Sequence, residues 1–169
     1  PADLTTTIHD CIKKLEPADV ISFEWCNKYE PDNTYGYAVE QSFWAQRVPQ
    51  VKSIIDAKAP AYRVNPHTIV NPYLNYKLAD GSKFEHISEG YSRINNAELG
   101  KPVKPYFIVH RYYRSTKEYI SLLGKGRPNF PKQGITEVKS NRKGYAGTEN
   151  LEKITFDEHA YSIYRSAIN

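Results

Sequence analysis

Apolar residues near the start of the chain recur at helical spacing. The positions that repeat every three or four residues are Leu4, Ile8, Cys11, Ile12 and Leu15. Asp3 is a good N-cap for this pattern and Pro17 ends it, so the spacing predicts a helix between them. Residues 20–25 then alternate between apolar and polar side chains, which predicts a strand with one buried face.

The middle of the chain predicts two helices followed by a run of strands. One helix is expected over residues 37–46. A second is expected from Pro49 to Pro60, because proline fits the first turn of a helix and also stops a helix from continuing. The strands expected after it cover residues 68–70, 73–78 and 83–87. The Ala-Asp-Gly-Ser sequence at 79–82 is typical of a hairpin turn between the last two.

The second half of the chain predicts a strand over residues 105–114 and then mixed elements. Alternation along this strand puts Phe107, Val109 and Arg111 on one face and Tyr106, Ile108 and His110 on the other. The elements expected after it are a helix over 115–123, a loop over 124–134, a short strand over 135–139 and a helical turn over 148–153. Residues 157–168 fit either a helix or a strand.

This order of elements predicts an α+β fold in a single domain over residues 1–169, with an N-terminal helix followed by a mostly antiparallel sheet with packed helices. At 40 % apolar and 25 % charged residues, the chain resembles globular rather than disordered proteins. No apolar run reaches the length of a membrane span, and two cysteines are too few for a disulfide framework. We therefore expect a cytoplasmic protein in reducing surroundings, or one inside a virion, with no membrane partner.

Positive charge is concentrated in residues 101–145. This segment holds eleven lysine and arginine residues against two glutamates, in a chain whose net charge is +4, and aromatic residues lie among the cations. Cations neutralise phosphates and aromatic rings stack on bases, so the pattern predicts a non-catalytic protein that binds nucleic acid or another phosphate-rich partner. The side chains expected to contact phosphate are Arg111, Arg114, Lys125, Arg127, Lys139, Arg142 and Lys143. Those expected to stack are Tyr112 and Tyr113.

Two other functions fit the sequence. The chain has 14 tyrosines and 11 prolines, a composition that also suits a structural subunit of a homo-oligomer such as a viral particle. Separately, Glu137 and Lys139 share one face of a predicted strand and resemble the E-x-K strand of restriction-endonuclease-like nucleases. That resemblance implies a metal-dependent phosphodiesterase, in which the carboxylate holds a metal and the ammonium stabilises the reacting phosphate. Glu118 is the only acidic residue between Lys101 and Thr136, so the second acid of such a site has to come from elsewhere.

His110 is a third candidate for catalysis. It lies in the basic segment beside Arg111 and close to Arg114, where it could assist phosphoryl transfer or simply occupy a strand. A paired-histidine phosphoesterase needs two H-x-[ST] sequences, and only His86 begins one. No zinc-ligand spacing and no cofactor motif is present, so neither a metal nor a cofactor is predicted.

Overall fold

The computed structural model describes residues 4–29, 39–60, 63–87, 90–111 and 150–168. In these ranges the chain is a mixed α/β protein made mostly of strands. The helices are α1 (Ile8–Lys14), α2 (Glu158–Ile168) and a short 3-10 helix at Asn96–Gly100. The strands are β1 (Val20–Tyr29), β2 (Ser42–Ile55), β3 (Arg63–Val64), β4 (Ile69–Val70), β5 (Tyr76–Leu78), β6 (His86–Ile87), β7 (Gly90–Ile94), β8 (Ile108–His110) and β9 (Glu152–Thr155).

The long β1 and β2 form the centre of a sheet to which seven strands contribute in the described part of the chain. They pair antiparallel along their whole length, and β2 also pairs antiparallel with β7 and β9. On its other edge β1 pairs in parallel with β5 at one end and with β8 at the other. The described part of the sheet is mostly antiparallel, as predicted, with β5 and β8 as its parallel strands, while β3 and β4 form a separate two-stranded sheet.

The two helices predicted over residues 37–46 and from Pro49 are wrong, because Ser42–Ile55 is one strand. The ladder between β1 and β2 shifts at one point: Glu24 pairs with Val51, but its neighbour Trp25 pairs with Val48. Pro49 lies inside this bulge, where a residue without an N–H group removes no ladder hydrogen bond. The spacing of apolar residues across the bulge mimics helical periodicity, and this misled the sequence prediction.

The expectation of several packed helices is also wrong. The N-terminal helix is confirmed, but α1 has only seven residues and is capped by Thr7, whose side chain accepts a hydrogen bond from Asp10 N–H. A helical turn was predicted over residues 148–153. The structure describes residues 150–153 of this range and has no helical turn there, since β9 begins at Glu152. Of the two structures allowed for residues 157–168, the chain adopts the helix, α2.

Alternation along β1 divides the protein into two sides. The even-numbered residues from Val20 to Lys28 are all buried and face the main core. Val20 belongs to a cluster with Tyr76 and Phe84, and Cys26 belongs to a second cluster with Phe43 and Phe156. On the opposite side, Ile21 packs against Cys11 and Leu15 of the α1 region. The remaining odd-numbered residues of β1, beyond the part that α1 covers, form the surface considered next.

Candidate nucleic-acid interface

One surface of the sheet collects aromatic, basic and amide side chains on the side opposite the main core. Residues that pair directly across strands point to the same side of a sheet, so the register defines which side chains share this surface. They are Trp25, Asn27 and Tyr29 of β1, Trp44, Gln46, Val48 and Lys52 of β2, Ile108 and His110 of β8, and Lys153 of β9. We call this surface the Trp25 face. None of these residues is acidic.

His110 is held against Trp25 at the centre of the face. The two rings are stacked, with centroids 4.3 Å apart and planes inclined by 19°. The Nδ1 atom of His110 lies 2.8 Å from the amide oxygen of Asn27, its partner across the β1–β8 ladder. The stack and the hydrogen bond together fix the position and the orientation of this imidazole.

A second imidazole, that of His67, reaches Trp25 from the loop between β3 and β4. Its ring lies 5.2 Å from the indole and is tilted by 51°. The Nδ1 atom of His67 lies 3.0 Å from the carbonyl oxygen of Val51. Asn65 holds the loop in shape, because its side-chain oxygen accepts hydrogen bonds from the N–H groups of His67 and Thr68 at 2.8 and 3.0 Å.

Lys52 completes the group around Trp25. Its ammonium lies 5.9 Å from the centre of the indole ring, within the range of a cation–π interaction, and also donates a hydrogen bond to the carbonyl oxygen of Pro66. The loop that carries His67 is thus tied to β2 by the same lysine that contacts Trp25. One indole therefore brings two imidazoles and an ammonium together from three separate parts of the chain.

Trp44 lies on the same face at the far end of the sheet. Its side chain is 47 % exposed. Trp44 pairs with Tyr29 of β1 and with Lys153 of β9. It lies four residues before Val48, the residue of β2 that pairs with Trp25. At about 3.3 Å per residue, the two tryptophans are offset by about 13 Å along the strand direction. The face thus offers an exposed indole with an exposed lysine beside it.

A cleft of about 570 Å³ opens next to the Trp25 face. Its walls come from the N-terminal segment with α1, from β1 and β2, and from residues 105–109. Most of the lining is apolar and includes Phe23, Ile54 and Tyr106, while Lys52 and Ile108 belong both to the cleft and to the Trp25 face. The cleft and the face are therefore continuous, and a volume of this size can hold a ligand as large as a nucleoside.

A buried ionic network lies behind the face and fixes the segment that leads into β8. The carboxylate of Glu24 accepts a hydrogen bond from Arg47 Nη2 at 2.7 Å and one from the backbone N–H of Lys104 at 2.8 Å. Arg47 also donates to the carbonyl oxygens of Leu99 and Glu98, each at 3.1 Å, and to that of Lys101. The chain from the 3-10 helix to β8 is thereby attached to the two central strands.

The network shifts the pKa values of its outer members. Lys104 Nζ lies 2.7 Å from a carboxylate oxygen of Asp80 and 3.1 Å from one of Glu98. Burial acts to raise the pKa of Asp80, but the hydrogen bonds from Lys104 and Ser82, together with the charge of Lys104, outweigh it and the pKa is lowered. The pKa of Glu98 is also lowered, first by its hydrogen bond with Lys101. The pKa of Lys104 is raised, because its bonds to the two carboxylates outweigh the effect of burial.

Burial raises the pKa of the Cys26 thiol, which lies in the core beside this network, and the negative charge of Glu24 adds to the shift. Neither cysteine forms a disulfide, and both are buried. Burial thus favours the neutral form of the Cys26 thiol, which is a weaker nucleophile than a thiolate.

The structure tests the sequence-predicted site residues only in part. It places His110 at the centre of the Trp25 face. In the described part of the strand predicted over 105–114, only Ile108–His110 is a strand, and there Val109 faces the core and His110 faces away, as predicted. Arg111 follows β8 and is half-buried. The other predicted site residues lie outside the described residues and stay predictions: Tyr112, Tyr113, Arg114, Lys125, Arg127, Glu137, Lys139, Arg142 and Lys143.

Sequence reasoning missed Trp25, Trp44, His67 and Lys52 as parts of a site. The alternation from Val20 to Tyr29 carried a signal, since it puts Trp25, Asn27 and Tyr29 on one side. The contribution of His67 had no sequence signal, because it depends on how the β3–β4 loop folds over β2.

Comparison with known proteins finds no matching family model, no similar curated protein and no similar solved structure. Within the described ranges, no three His, Cys, Asp or Glu side chains lie close enough to hold a metal ion. In the same ranges no helix is long and apolar enough to cross a membrane. What the chain does must therefore be argued from the Trp25 face itself.

Proposed function

We propose that this protein binds single-stranded nucleic acid on the Trp25 face. The observation that carries the proposal is the exposed indole of Trp44, which shares one sheet surface with His110, Lys52 and Lys153. Among the described residues that the strand register places on this surface, none is acidic. Exposed aromatic rings on a sheet provide stacking partners for bases, and cations beside them neutralise the phosphates between the bases.

Single strands suit this surface better than duplex. The bases of a single strand are available for stacking, whereas those of a duplex already stack on one another. Trp44 and the group around Trp25 are offset by about 13 Å along the strand direction, a distance that a short run of nucleotides spans. The cleft beside Lys52 offers room for a base turned away from the strand.

Most of the basic segment follows this surface in the sequence. β8 delivers His110 to the face, and the cations at and beyond Arg111 follow directly in sequence. The phosphate contacts expected from Arg111, Arg114 and the later lysines and arginines therefore belong to the same proposal. Their contribution would appear as a steep dependence of affinity on salt.

The test is fluorescence anisotropy with a labelled single-stranded DNA of about 12 nucleotides, titrated at salt concentrations from about 50 to 500 mM. Trp44→Ala should weaken binding by about tenfold, the loss expected for one base–aromatic stack. The matched control is Tyr73→Ala. Tyr73 is 82 % exposed but lies before β5, which pairs with the Val20 end of β1 rather than the Tyr29 end.

A second pair of variants separates charge from stacking. Lys153→Ala should reduce the slope of log affinity against log salt by about 0.7, the value for one phosphate contact on a single strand. The exposed Lys58, in the turn after β2, is the matched control and its removal should leave the slope unchanged. Equal affinities for wild type, Trp44→Ala and Lys153→Ala would overturn the proposal.

Light scattering on the same samples tests the alternative assembly function. If Trp44→Ala changes the molar mass of the particle and leaves the oligonucleotide affinity unchanged, the indole serves a contact between subunits of a homo-oligomer. A constant molar mass with weakened binding supports the nucleic-acid interface.

A further inference from the structure

The cleft beside the Trp25 face is too large to be a packing defect. Protein interiors contain few voids larger than a water molecule, whereas this cleft has a volume of about 570 Å³. Its walls include three separate parts of the chain: the N-terminal segment with α1, the strands β1 and β2, and residues 105–109. A space of this volume with walls on several sides has the dimensions of a small-molecule site.

The lining of the cleft is suited to an apolar ligand. Cys11 lies on α1 and Phe23 on β1, and both belong to the hydrophobic cluster around Ile21. Phe107 and Phe156 reach the cleft from the second core cluster. Because apolar groups of the ligand and of the lining both leave water on binding, an alkyl chain or a similar apolar body is bound favourably here.

One positive charge lies at the border of this apolar space. Lys52 is the only charged residue among the described residues that line the cleft, so none of them is acidic. Its ammonium lies 5.9 Å from the centre of the Trp25 ring and donates a hydrogen bond to Pro66 O. These contacts hold the ammonium where the cleft meets the Trp25 face. An ammonium has three N–H donors, so an anion at this position can accept a hydrogen bond that Pro66 does not take.

We propose that the cleft binds a small organic acid, with the apolar body in the cleft and the carboxylate at Lys52. The charges are complementary, because one ammonium matches the single negative charge of a carboxylate. A phosphate monoester carries more negative charge and finds no second cation in the described lining. The inference goes beyond the proposed function and does not depend on it, because the site and its test require no nucleic acid.

Isothermal titration calorimetry with decanoate and with decanol tests the inference on the wild-type protein near neutral pH. The two ligands have alkyl chains of the same length and differ in the charge of the head group. Both are used below the concentrations at which they aggregate. Decanoate should bind about tenfold more tightly than decanol, the gain expected from a hydrogen bond between two charged groups. Equal affinities, or no binding of decanoate, would overturn the inference.

Lys52→Met assigns the head group to its partner, because methionine keeps an apolar side chain and removes the charge. Decanol should bind this variant as it binds wild type, which shows that the cleft is intact, and the preference for decanoate should be lost. Lys58→Met is the matched control, since Lys58 is an exposed lysine in the turn after β2 and does not line the cleft. A tenfold preference for decanoate that survives in Lys52→Met would overturn the inference. The comparison of the two ligands on wild type remains decisive if Lys52→Met fails to fold.

Cys11 reports whether the acid occupies this cleft. The chain has two cysteines, so Cys26→Ser leaves Cys11 as the only thiol, and Cys11 lines the cleft. Saturating decanoate should slow the reaction of Cys11 with Ellman's reagent by at least about fivefold, because the bound chain covers the thiol. A reaction rate that saturating decanoate leaves unchanged would mean that the acid binds elsewhere, and would overturn the inference.

Discussion

Arg47 Nη2 donates a hydrogen bond of 2.7 Å to Glu24 Oε2, and both side chains are buried between the two central strands. Arg47 comes from β2 and Glu24 from β1, on opposite sides of the bulge where the ladder shifts. Together they hold the backbone of residues 98–104 by hydrogen bonds to carbonyl oxygens and an N–H group. The position of β8, and with it His110, therefore depends on this ion pair.

The first prediction concerns that pair. Glu24→Ala should lower the free energy of unfolding by about 3 kcal/mol, because it leaves the buried Arg47 charge with only the partly exposed Glu152, 3.5 Å away, as an ionic partner. The double variant Glu24→Leu/Arg47→Met should recover much of this loss, since both charges are then removed. Urea denaturation measures the free energy of unfolding of the single and the double variant, and Glu85→Ala at an exposed position is the control. Equal or additive losses in the single and double variants would show that the two side chains are not coupled.

The second prediction concerns the turn between β5 and the strand-like segment at Lys83. Gly81 has a φ of +87°, and a Cβ atom at this position would lie 3.3 Å from Leu15 Cδ2. Gly81→Ala should therefore destabilise the protein by about 1–3 kcal/mol. Gly100→Ala is the control, because a Cβ there meets no atom within 4 Å. Thermal unfolding of both variants measures the difference, and equal melting temperatures would contradict the turn geometry.

The third prediction concerns acid stability. The pKa values of Asp80 and Glu98 are lower in the folded protein than in the unfolded chain. The contacts of Glu98 with Lys101 and Lys104, and of Asp80 with Lys104, therefore stabilise the fold above about pH 4. That stabilisation is lost as the pH falls through the lowered folded-state pKa values. Lys104→Met should lower the free energy of unfolding by about 1 kcal/mol at pH 7. It should also make this free energy fall less steeply as the pH decreases. Urea denaturation midpoints between about pH 2 and 7 measure this pH dependence, and Lys83→Met is the control.

The raised pKa of Lys104 predicts the opposite behaviour at the alkaline end. A group with a raised folded-state pKa stabilises the fold below its unfolded pKa, and this contribution is lost as the pH rises through the folded value. Lys104→Met should therefore also flatten the loss of stability in alkali. A variant with the same acid and alkaline profile as wild type would mean that Lys104 does not form these contacts in solution.

The fourth prediction concerns the two cysteines. Burial raises the pKa of Cys26, so the reaction of this thiol with Ellman's reagent at about pH 8 should be at least about tenfold slower in the folded protein than in urea. Cys11 lines the cleft beside the Trp25 face and should react faster in the folded state. Cys11→Ser and Cys26→Ser each leave one thiol for measurement. Faster reaction of Cys26 than of Cys11 would contradict the burial of Cys26.

The fifth prediction uses the stack of His110 on Trp25. The protein has two tryptophans, so Trp44→Phe leaves Trp25 as the only indole. An imidazole stacked on an indole changes the emission of that indole, so adding His110→Ala should change the fluorescence intensity of this variant. Adding His159→Ala, which removes an exposed histidine on α2, should not. An emission that His110→Ala leaves unchanged would contradict the stack.

The local parts of this fold were accessible from the sequence, and the long-range parts were not. Alternation revealed β1, and the turn at 79–82 followed from Asp80 and Gly81. β2 was read as helix because the bulge at Pro49 interrupts its alternation. The group at Trp25 requires β8 to pair in parallel with β1 and the His67 loop to cross β2. Such pairings join residues more than 40 positions apart, and no local pattern encodes them.

His110 shows the same division within the candidate site. Because His110 lies beside Arg111 in a basic segment of the sequence, it was predicted as a candidate for phosphoryl chemistry. Its partners are Trp25 and Asn27, and both belong to a strand some 80 residues earlier. The sequence thus indicated the residue, and the β1–β8 register determined what lies next to it.

The pairing of β9 with β2 has a consequence for how the protein is made. Ser42 of β2 and Thr155 of β9 are neighbours in the sheet but stand 113 residues apart in the chain. A ribosome that adds about 5–20 residues per second needs on the order of ten seconds to cover that interval. Throughout it, the outer edge of β2 exposes unpaired backbone groups to other nascent chains. A chaperone that shields strand edges should therefore raise the yield of folded protein more than one that acts after release.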